Sequence, residues 1–159
     1  MRAHQIIGGL SPEDFERLME ALRGEAPEAV QSTTIAAAAI LKFRPKFLLK
    51  QAPKKRLASV KSALSRLNAN DMAEELLAVY FLKCKLDLLT EWLDLMGLEH
   101  EDGILTQEEV PCPDAAELEK KVSDFRGKDD DVDRPLLLRV FSAQTAIEWP
   151  ALDELLDAA

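Results

Sequence analysis

Residues 71–96 constrain the fold of this chain more than any other part of its sequence. Their apolar side chains recur three and four positions apart and cover more than half of a helical wheel. A helix that is apolar on most of its sides has to be packed on most of its sides. The pattern therefore predicts one continuous helix, about 39 Å long at the usual helical rise, enclosed by its neighbours at the centre of the fold.

The composition, the capping residues and the prolines of the remaining sequence also favour helices. The chain has 26 Leu and 21 Ala but only 13 Val and Ile together, and sheets are enriched in β-branched residues whereas Leu and Ala form helices well. Capping residues and prolines predict further helices at residues 12–24, 27–43, 53–67, 114–126 and 135–145, and one that begins at Pro150. We expect a single all-α domain, residues 1–159, built as a bundle of six or seven helices, with residues 1–10 as a loosely ordered tail.

Charge is distributed unevenly along the chain. The formal net charge is −9, yet no acidic residue occurs between Thr33 and Asn70. That interval carries nine basic residues, which are Lys42, Arg44, Lys46, Lys50, Lys54, Lys55, Arg56, Lys61 and Arg66. Such a block predicts either a binding face for an acidic partner or a segment neutralised by the acidic remainder of the same chain.

Nucleic acid and anionic lipid are further candidate partners of the basic residues 42–66. The net negative charge of the chain opposes association with DNA at long range. No aromatic residues alternate with the cations at a spacing suited to stacking on successive bases, and we expect Phe43 and Phe47 in the core. These observations make a nucleic-acid partner unlikely and favour an acidic protein surface or anionic lipid.

Lys85 is the most unusual single residue, because it lies in the middle of the apolar arc of residues 71–96. On the wheel it is flanked by Phe81 and Trp92. A lysine removed from water can act as a nucleophile or base, so one hypothesis is a pocket for a ligand or substrate beside Lys85 and Trp92. The alternative is that the ammonium reaches the helix edge or pairs with a carboxylate from another helix, and the absence of a partner base favours it.

Residue types that bind metals occur in three places, but their spacing does not predict a metal site. Residues 101–109 resemble the second half of an EF-hand calcium loop, yet Leu98 and His100 stand where the first and third ligands are required. His100 also lacks the closely spaced second ligand of zinc sites. The aspartates at 129–131 and 133 are a weak Mg²⁺ candidate on a loop that we expect to be hydrated. We predict no metal and no cofactor.

The sequence contains no nucleophile elbow, P-loop, dinucleotide fingerprint or zinc-protease motif, which argues against an enzyme. No apolar run reaches the roughly 18–20 residues of a membrane span. Cys84 and Cys112 are too few for a disulfide framework, although one bridge between them is conceivable. We therefore expect a soluble, cytoplasmic helical protein that acts by protein–protein recognition or self-association, through residues 42–66 or an exposed apolar patch.

Overall fold

The computed structural model describes residues 1–158 and confirms that the chain is all-α. Within these residues lie ten α-helices: α1 (Ala3–Gly9), α2 (Pro12–Glu25), α3 (Pro27–Ile40), α4 (Pro45–Lys50), α5 (Pro53–Leu64), α6 (Asn70–Cys84), α7 (Leu86–Leu95), α8 (Ala115–Arg126), α9 (Asp133–Ala143) and α10 (Pro150–Asp157). A 3-10 turn (Leu67–Ala69) precedes α6, and strands β1 (His100–Glu101) and β2 (Ile104–Leu105) form a small antiparallel hairpin. The helices outnumber the six or seven that the sequence predicted.

The described residues divide into two compact units, where the sequence suggested one domain. The N-terminal unit is Arg2–Cys84, and the C-terminal unit is residues 85–158 together with Met1. Residues 2–84 hold 13 basic and 9 acidic side chains, whereas residues 85–159 hold 7 basic and 20 acidic ones. The uneven charge along the sequence is therefore a difference between two structural units.

The prediction of one continuous helix over residues 71–96 is wrong. Lys85 separates α6 from α7, because its backbone is not helical (φ −136°, ψ 38°). A rod continued through this point would carry the Lys85 ammonium into the apolar arc that packs against the core. The break directs the ammonium instead to the carboxylate of Asp133, 3.1 Å away. Two shorter helices can thus pack their apolar side chains against the core while the Lys85 ammonium remains paired.

The prediction of a loosely ordered tail at residues 1–10 is also wrong, because these residues contain helix α1. Ile6 and Ile7 are buried, and α1 packs against α5 and α6. The backbone N–H of His4 donates to Asn70 Oδ1 at 3.2 Å, and the buried His4 ring places Nδ1 2.8 Å from the same oxygen. Burying each isoleucine stabilises the unit by about 1.5–3 kcal/mol, which a short helix needs because it is not stable alone.

The core of the N-terminal unit forms where α2, α3, α5 and α6 pack together. Ser11 caps α2 as predicted, since its hydroxyl accepts the N–H of Asp14 at 3.1 Å. Ala37 and Ala38 are fully buried, so the run of alanines in α3 allows neighbouring helices to approach its backbone. The helix predicted over residues 53–67 ends at Leu64, and Leu67, three residues later, is exposed.

Aromatic side chains form the core of the C-terminal unit. The ring of Trp92 lies 5.2 Å from that of Phe125 and 5.7 Å from that of Phe141, and Phe141 lies 5.1 Å from Trp149. These contacts join α7, α8 and α9 to the residue that precedes α10. Asp114 caps α8 as predicted, accepting an N–H of the first turn at 2.9 Å.

Candidate functional site

The segment around α4 exposes apolar side chains in the middle of the basic residues. Leu48 is fully buried and anchors this six-residue helix. Its neighbours Phe47 and Leu49 project on either side of the anchor and are 55% and 53% exposed. Phe47 contacts the exposed ring of Phe43 edge to face, with 5.1 Å between ring centres. Clustered exposed apolar side chains are typical of interaction sites.

We call the exposed side chains of residues 42–55 that are basic or large and apolar the basic–apolar surface. Its members are Lys42, Phe43, Arg44, Lys46, Phe47, Leu49, Lys50, Lys54 and Lys55. The sequence identified the cations but placed Phe43 and Phe47 in the core, and that placement is wrong. Adjacent helical residues point about 100° apart, so the burial of Leu48 leaves Phe47 facing outward.

Lys42 occupies a strained backbone position at the start of this surface. Its φ of 58° lies in the left-handed region that favours glycine. Lys42 ends α3 in a Schellman-type cap, in which the Phe43 N–H donates to the carbonyl of Ala38 at 2.8 Å. The helix predicted to reach residue 43 therefore ends at Ile40. Backbone strain of this kind clusters at functional positions.

Within the N-terminal unit, none of the nine predicted cations lies within 4.0 Å of a carboxylate. Three of them donate instead to backbone carbonyls: Arg56 to Leu49 at 3.0 Å, Lys61 to Gly8 at 3.1 Å and Arg66 to Ile40 at 3.4 Å. A carbonyl satisfies a donor without cancelling its charge. The acidic residues of this unit therefore do not neutralise the basic segment by pairing.

The nine cations do not form one continuous patch. Arg56 and Lys61 are half-buried on α5, and Arg66 lies beyond its last residue. Because twelve helical residues span about 18 Å, Lys54 and Lys55 at the start of α5 are well separated from Arg66. The candidate site therefore contains the first six cations rather than all nine.

A cleft of about 400 Å³ lies between α2 and α5, next to two of the cations. Its lining is apolar at Phe15 and Leu57, acidic at Glu13 and basic at Lys54. The cleft therefore carries charges of both signs, whereas the charged residues of the basic–apolar surface are all positive. Two further clefts, of about 320 and 520 Å³, lie between α3 and α6 and between α8 and α10.

Lys85 and Trp92, the pair from which the sequence suggested a pocket, lie in a packed region of the C-terminal unit. The Lys85 side chain is 35% exposed and forms an ion pair with Asp133, which is 1% exposed. Trp92 is buried between Phe125 and Phe141, and its indole N–H has no hydrogen-bond partner among residues 1–158. Neither Lys85 nor Trp92 lines any of the three clefts. The ion pair matches the structural alternative for Lys85.

The C-terminal unit contains an ion-pair network around Arg134 that the sequence did not reveal. The buried guanidinium donates to Asp129 from Nε (2.9 Å) and Nη2 (3.1 Å) and also to Glu91, and it lies 4.8 Å from the ring centre of Phe125. These hydrogen bonds lower the pKa of Asp129 and of Glu91 and raise the pKa of Arg134. Asp129, considered above as an Mg²⁺ ligand, is thus engaged by an arginine. The described residues contain no cluster of three or more potential ligands.

A β-hairpin lies between α7 and α8, in the segment that resembles part of a calcium loop. Asp102 and Gly103 form its two-residue turn, with φ values of 49° and 88° that suit an Asp-Gly type I′ turn. His100, considered above as a metal ligand, holds this turn. Its Nδ1 accepts the N–H of Gly103 at 3.2 Å, and its Nε2 lies 2.7 Å from the Asp94 carboxylate.

No family model, curated protein or solved structure matches this chain. Among residues 1–158, no helix combines the length and apolar character needed to cross a membrane. Cys84 and Cys112 are both thiols, and burial raises the pKa of Cys112. The functional conclusion therefore depends on the surfaces described above.

Proposed function

We propose that this chain is a non-enzymatic, cytoplasmic protein that binds an acidic protein partner through its basic–apolar surface. One observation carries the proposal: Phe47 and Leu49 are more than half exposed among six cations that no carboxylate of their own unit pairs. Protein interfaces combine an apolar centre with a polar rim. A partner that presents apolar side chains between carboxylates matches both parts of this surface.

An anionic membrane surface fits this site less well than a protein does. Helices that lie on membranes bury an apolar face of considerable area, whereas α4 has six residues and directs Leu48 into the protein. The short helix α4 is better suited to contact a protein surface than a membrane.

Nucleic acid also fits less well. Single-strand binders stack successive bases on separate aromatic faces, whereas Phe43 and Phe47 pack against each other. The cytoplasmic location is supported by the cysteine count, because two cysteines do not make the disulfide framework typical of small secreted proteins.

The proposal is tested by NMR titration of the ¹⁵N-labelled full chain with an acidic amphipathic peptide that carries Glu and Leu on one helical face. A peptide of the same composition in scrambled order is the control. We expect the amide shifts to concentrate in residues 42–55, with at least about tenfold weaker binding of the scrambled peptide. The double variant K46E/K50E should lose the response. Shifts spread evenly over the chain, or none, would contradict the proposal.

Two other probes separate the remaining partner classes. Vesicles that contain phosphatidylserine and a short DNA duplex are titrated under the same buffer conditions. We expect both to bind more weakly than the acidic peptide, with binding that disappears at moderate salt. Tighter binding of either probe than of the peptide would replace the protein partner with lipid or nucleic acid.

A further inference from the structure

The C-terminal unit presents a surface whose composition is complementary to the basic–apolar surface. Ile104 is 62% exposed in the β1–β2 hairpin, and Glu101 lies directly opposite it across the two strands. Opposed residues of a hairpin project from the same face, and Glu99, which is exposed, directly precedes β1. Asp102, in the turn, is also exposed. We call Glu99, Glu101, Asp102 and Ile104 the acidic hairpin tip.

We infer that the acidic partner is a second copy of this chain, whose acidic hairpin tip docks on the basic–apolar surface. This inference rests on the proposed function and names the partner. Charge supports it, because residues 2–84 sum to +4 and residues 85–159 to −13. The docking contact therefore brings together units of opposite net charge, which favours this pairing over contacts between like units.

The apolar components of the two surfaces are complementary as well. Exposed Ile104 follows the acidic pair Glu101 and Asp102 in sequence, and exposed Phe47 and Leu49 lie between Lys46 and Lys50. Contact between Ile104 and Phe47 removes two exposed apolar side chains from water and brings their charged neighbours into opposition. Each surface supplies the sign of charge that the other lacks, and both supply exposed apolar side chains.

Both surfaces are held in shape by contacts within their own unit. The hairpin turn is fixed by the hydrogen bonds of His100 to Gly103 and Asp94. In the basic–apolar surface, Leu48 anchors α4, and the cap at Lys42 fixes the residues that precede α4. Surfaces ordered before association lose less conformational freedom on binding.

The contact joins two different surfaces, so the association is heterologous. After a first contact one copy keeps its acidic hairpin tip unused and the other keeps its basic–apolar surface unused, and the chain of contacts ends only by closing into a ring. The mass of the assembly should therefore rise with concentration. It should fall as salt is added, since the Debye length decreases from about 10 Å at 0.1 M to about 3 Å at 1 M ionic strength.

The experiment is sedimentation velocity of the full chain at low ionic strength, with two variants that each remove one surface. F47S/K50S alters the basic–apolar surface and leaves the hairpin intact. E101Q/I104S alters the acidic hairpin tip and leaves α4 intact. D130N/V132S is the matched control, because Val132 is also exposed beside acidic residues of the C-terminal unit.

We expect wild type and D130N/V132S to associate and each of the two surface variants to remain monomeric. An equimolar mixture of F47S/K50S and E101Q/I104S should form a one-to-one dimer, because only one productive contact remains between them. A monomeric wild type, or a mixture that stays monomeric, would overturn the inference. If wild type stays monomeric but binds the acidic peptide, the proposed function stands and only the second copy is excluded as partner.

Discussion

The ammonium of Lys85 lies 3.1 Å from the carboxylate of Asp133, at the residue where α6 has ended and α7 has not yet begun. The Asp133 side chain is almost completely buried, whereas Lys85 reaches solvent. A buried carboxylate needs a cation or hydrogen-bond donors to remain ionised. The interruption between α6 and α7 supplies such a cation, which a continuous helix over residues 71–96 would have held in its apolar arc.

Removing the Lys85 ammonium should destabilise the C-terminal unit. We expect K85M to lower the free energy of unfolding by about 3 kcal/mol, the lower end for a broken buried pair, because Lys85 is partly exposed. Both tryptophans lie in this unit, so tryptophan fluorescence in urea reports its unfolding. K128M, which breaks the exposed pair with Glu91, should change the free energy by less than about 1 kcal/mol. Equal effects of the two substitutions would contradict this role of Lys85.

Acid should weaken the C-terminal unit through the Arg134 network. Hydrogen bonds from Arg134 lower the pKa of Glu91 below its ordinary 4.5 and that of Asp129 below its ordinary 3.8. A carboxyl whose pKa is lowered in the folded state contributes stability that is complete above its unfolded pKa and is lost as the pH falls through its folded pKa. The urea midpoint of the tryptophan signal should therefore decrease below pH 4.5.

The variant R134M separates this network from the other carboxyls. It should lower the stability near neutral pH by about 3 kcal/mol and flatten the decrease of the midpoint below pH 4.5. K121M, which removes an exposed pair with Glu117 on α8, should leave the pH profile unchanged. A decrease as steep in R134M as in wild type would show that Arg134 does not govern the acid response.

Relieving the strain at Lys42 should stabilise the N-terminal unit. We expect K42G to raise its stability by about 1 kcal/mol, because glycine adopts a positive φ without a steric penalty. K42A keeps the Cβ atom and should give no such gain, which separates strain from charge. Amide hydrogen exchange in α5 and α6 measures the effect. Equal protection in both variants would mean that the backbone of Lys42 is not strained.

The exposed apolar residues of α4 should contribute little to folding. F47S and L49S are each expected to change the stability of the N-terminal unit by less than about 0.5 kcal/mol. L48A, one position away in each case, should cost about 3 kcal/mol because Leu48 is fully buried. Thermal unfolding followed by circular dichroism compares the three variants. A large loss in F47S would indicate that the ring is part of the core.

Local signals in the sequence predicted those helices that carry a clear cap or an initial proline. Ser11, Asp114 and Pro150 each mark a helix start that the structure confirms. The break at Lys85 was not predictable in this way, because the apolar repeat continues on both sides and neither glycine nor proline interrupts residues 71–96. The ion-pair partner of Lys85 at this break is Asp133, a residue distant in sequence.

The sequence predicted the positive charge of the candidate site but not its exposed aromatic residues. The nine cations are visible because no acidic residue lies among them, whereas the exposure of Phe47 depends on Leu48 being the one residue of α4 that is buried. The Arg134 network was not predictable because Glu91, one of its acidic partners, lies 43 residues earlier on α7 and Asp129 lies in the loop before α9. Long-range pairing leaves no periodic signal in the sequence.

A charge-swap titration tests the central claim, that the basic–apolar surface recognises acidic partners, most directly. Wild type and K46E/K50E are each titrated calorimetrically with the acidic amphipathic peptide and with the same peptide carrying Lys in place of Glu. We predict that wild type prefers the acidic peptide and that K46E/K50E prefers the basic one, each by at least about tenfold in Kd, or about 1.4 kcal/mol. A K46E/K50E protein that binds the acidic peptide with the Kd of wild type would contradict the claim.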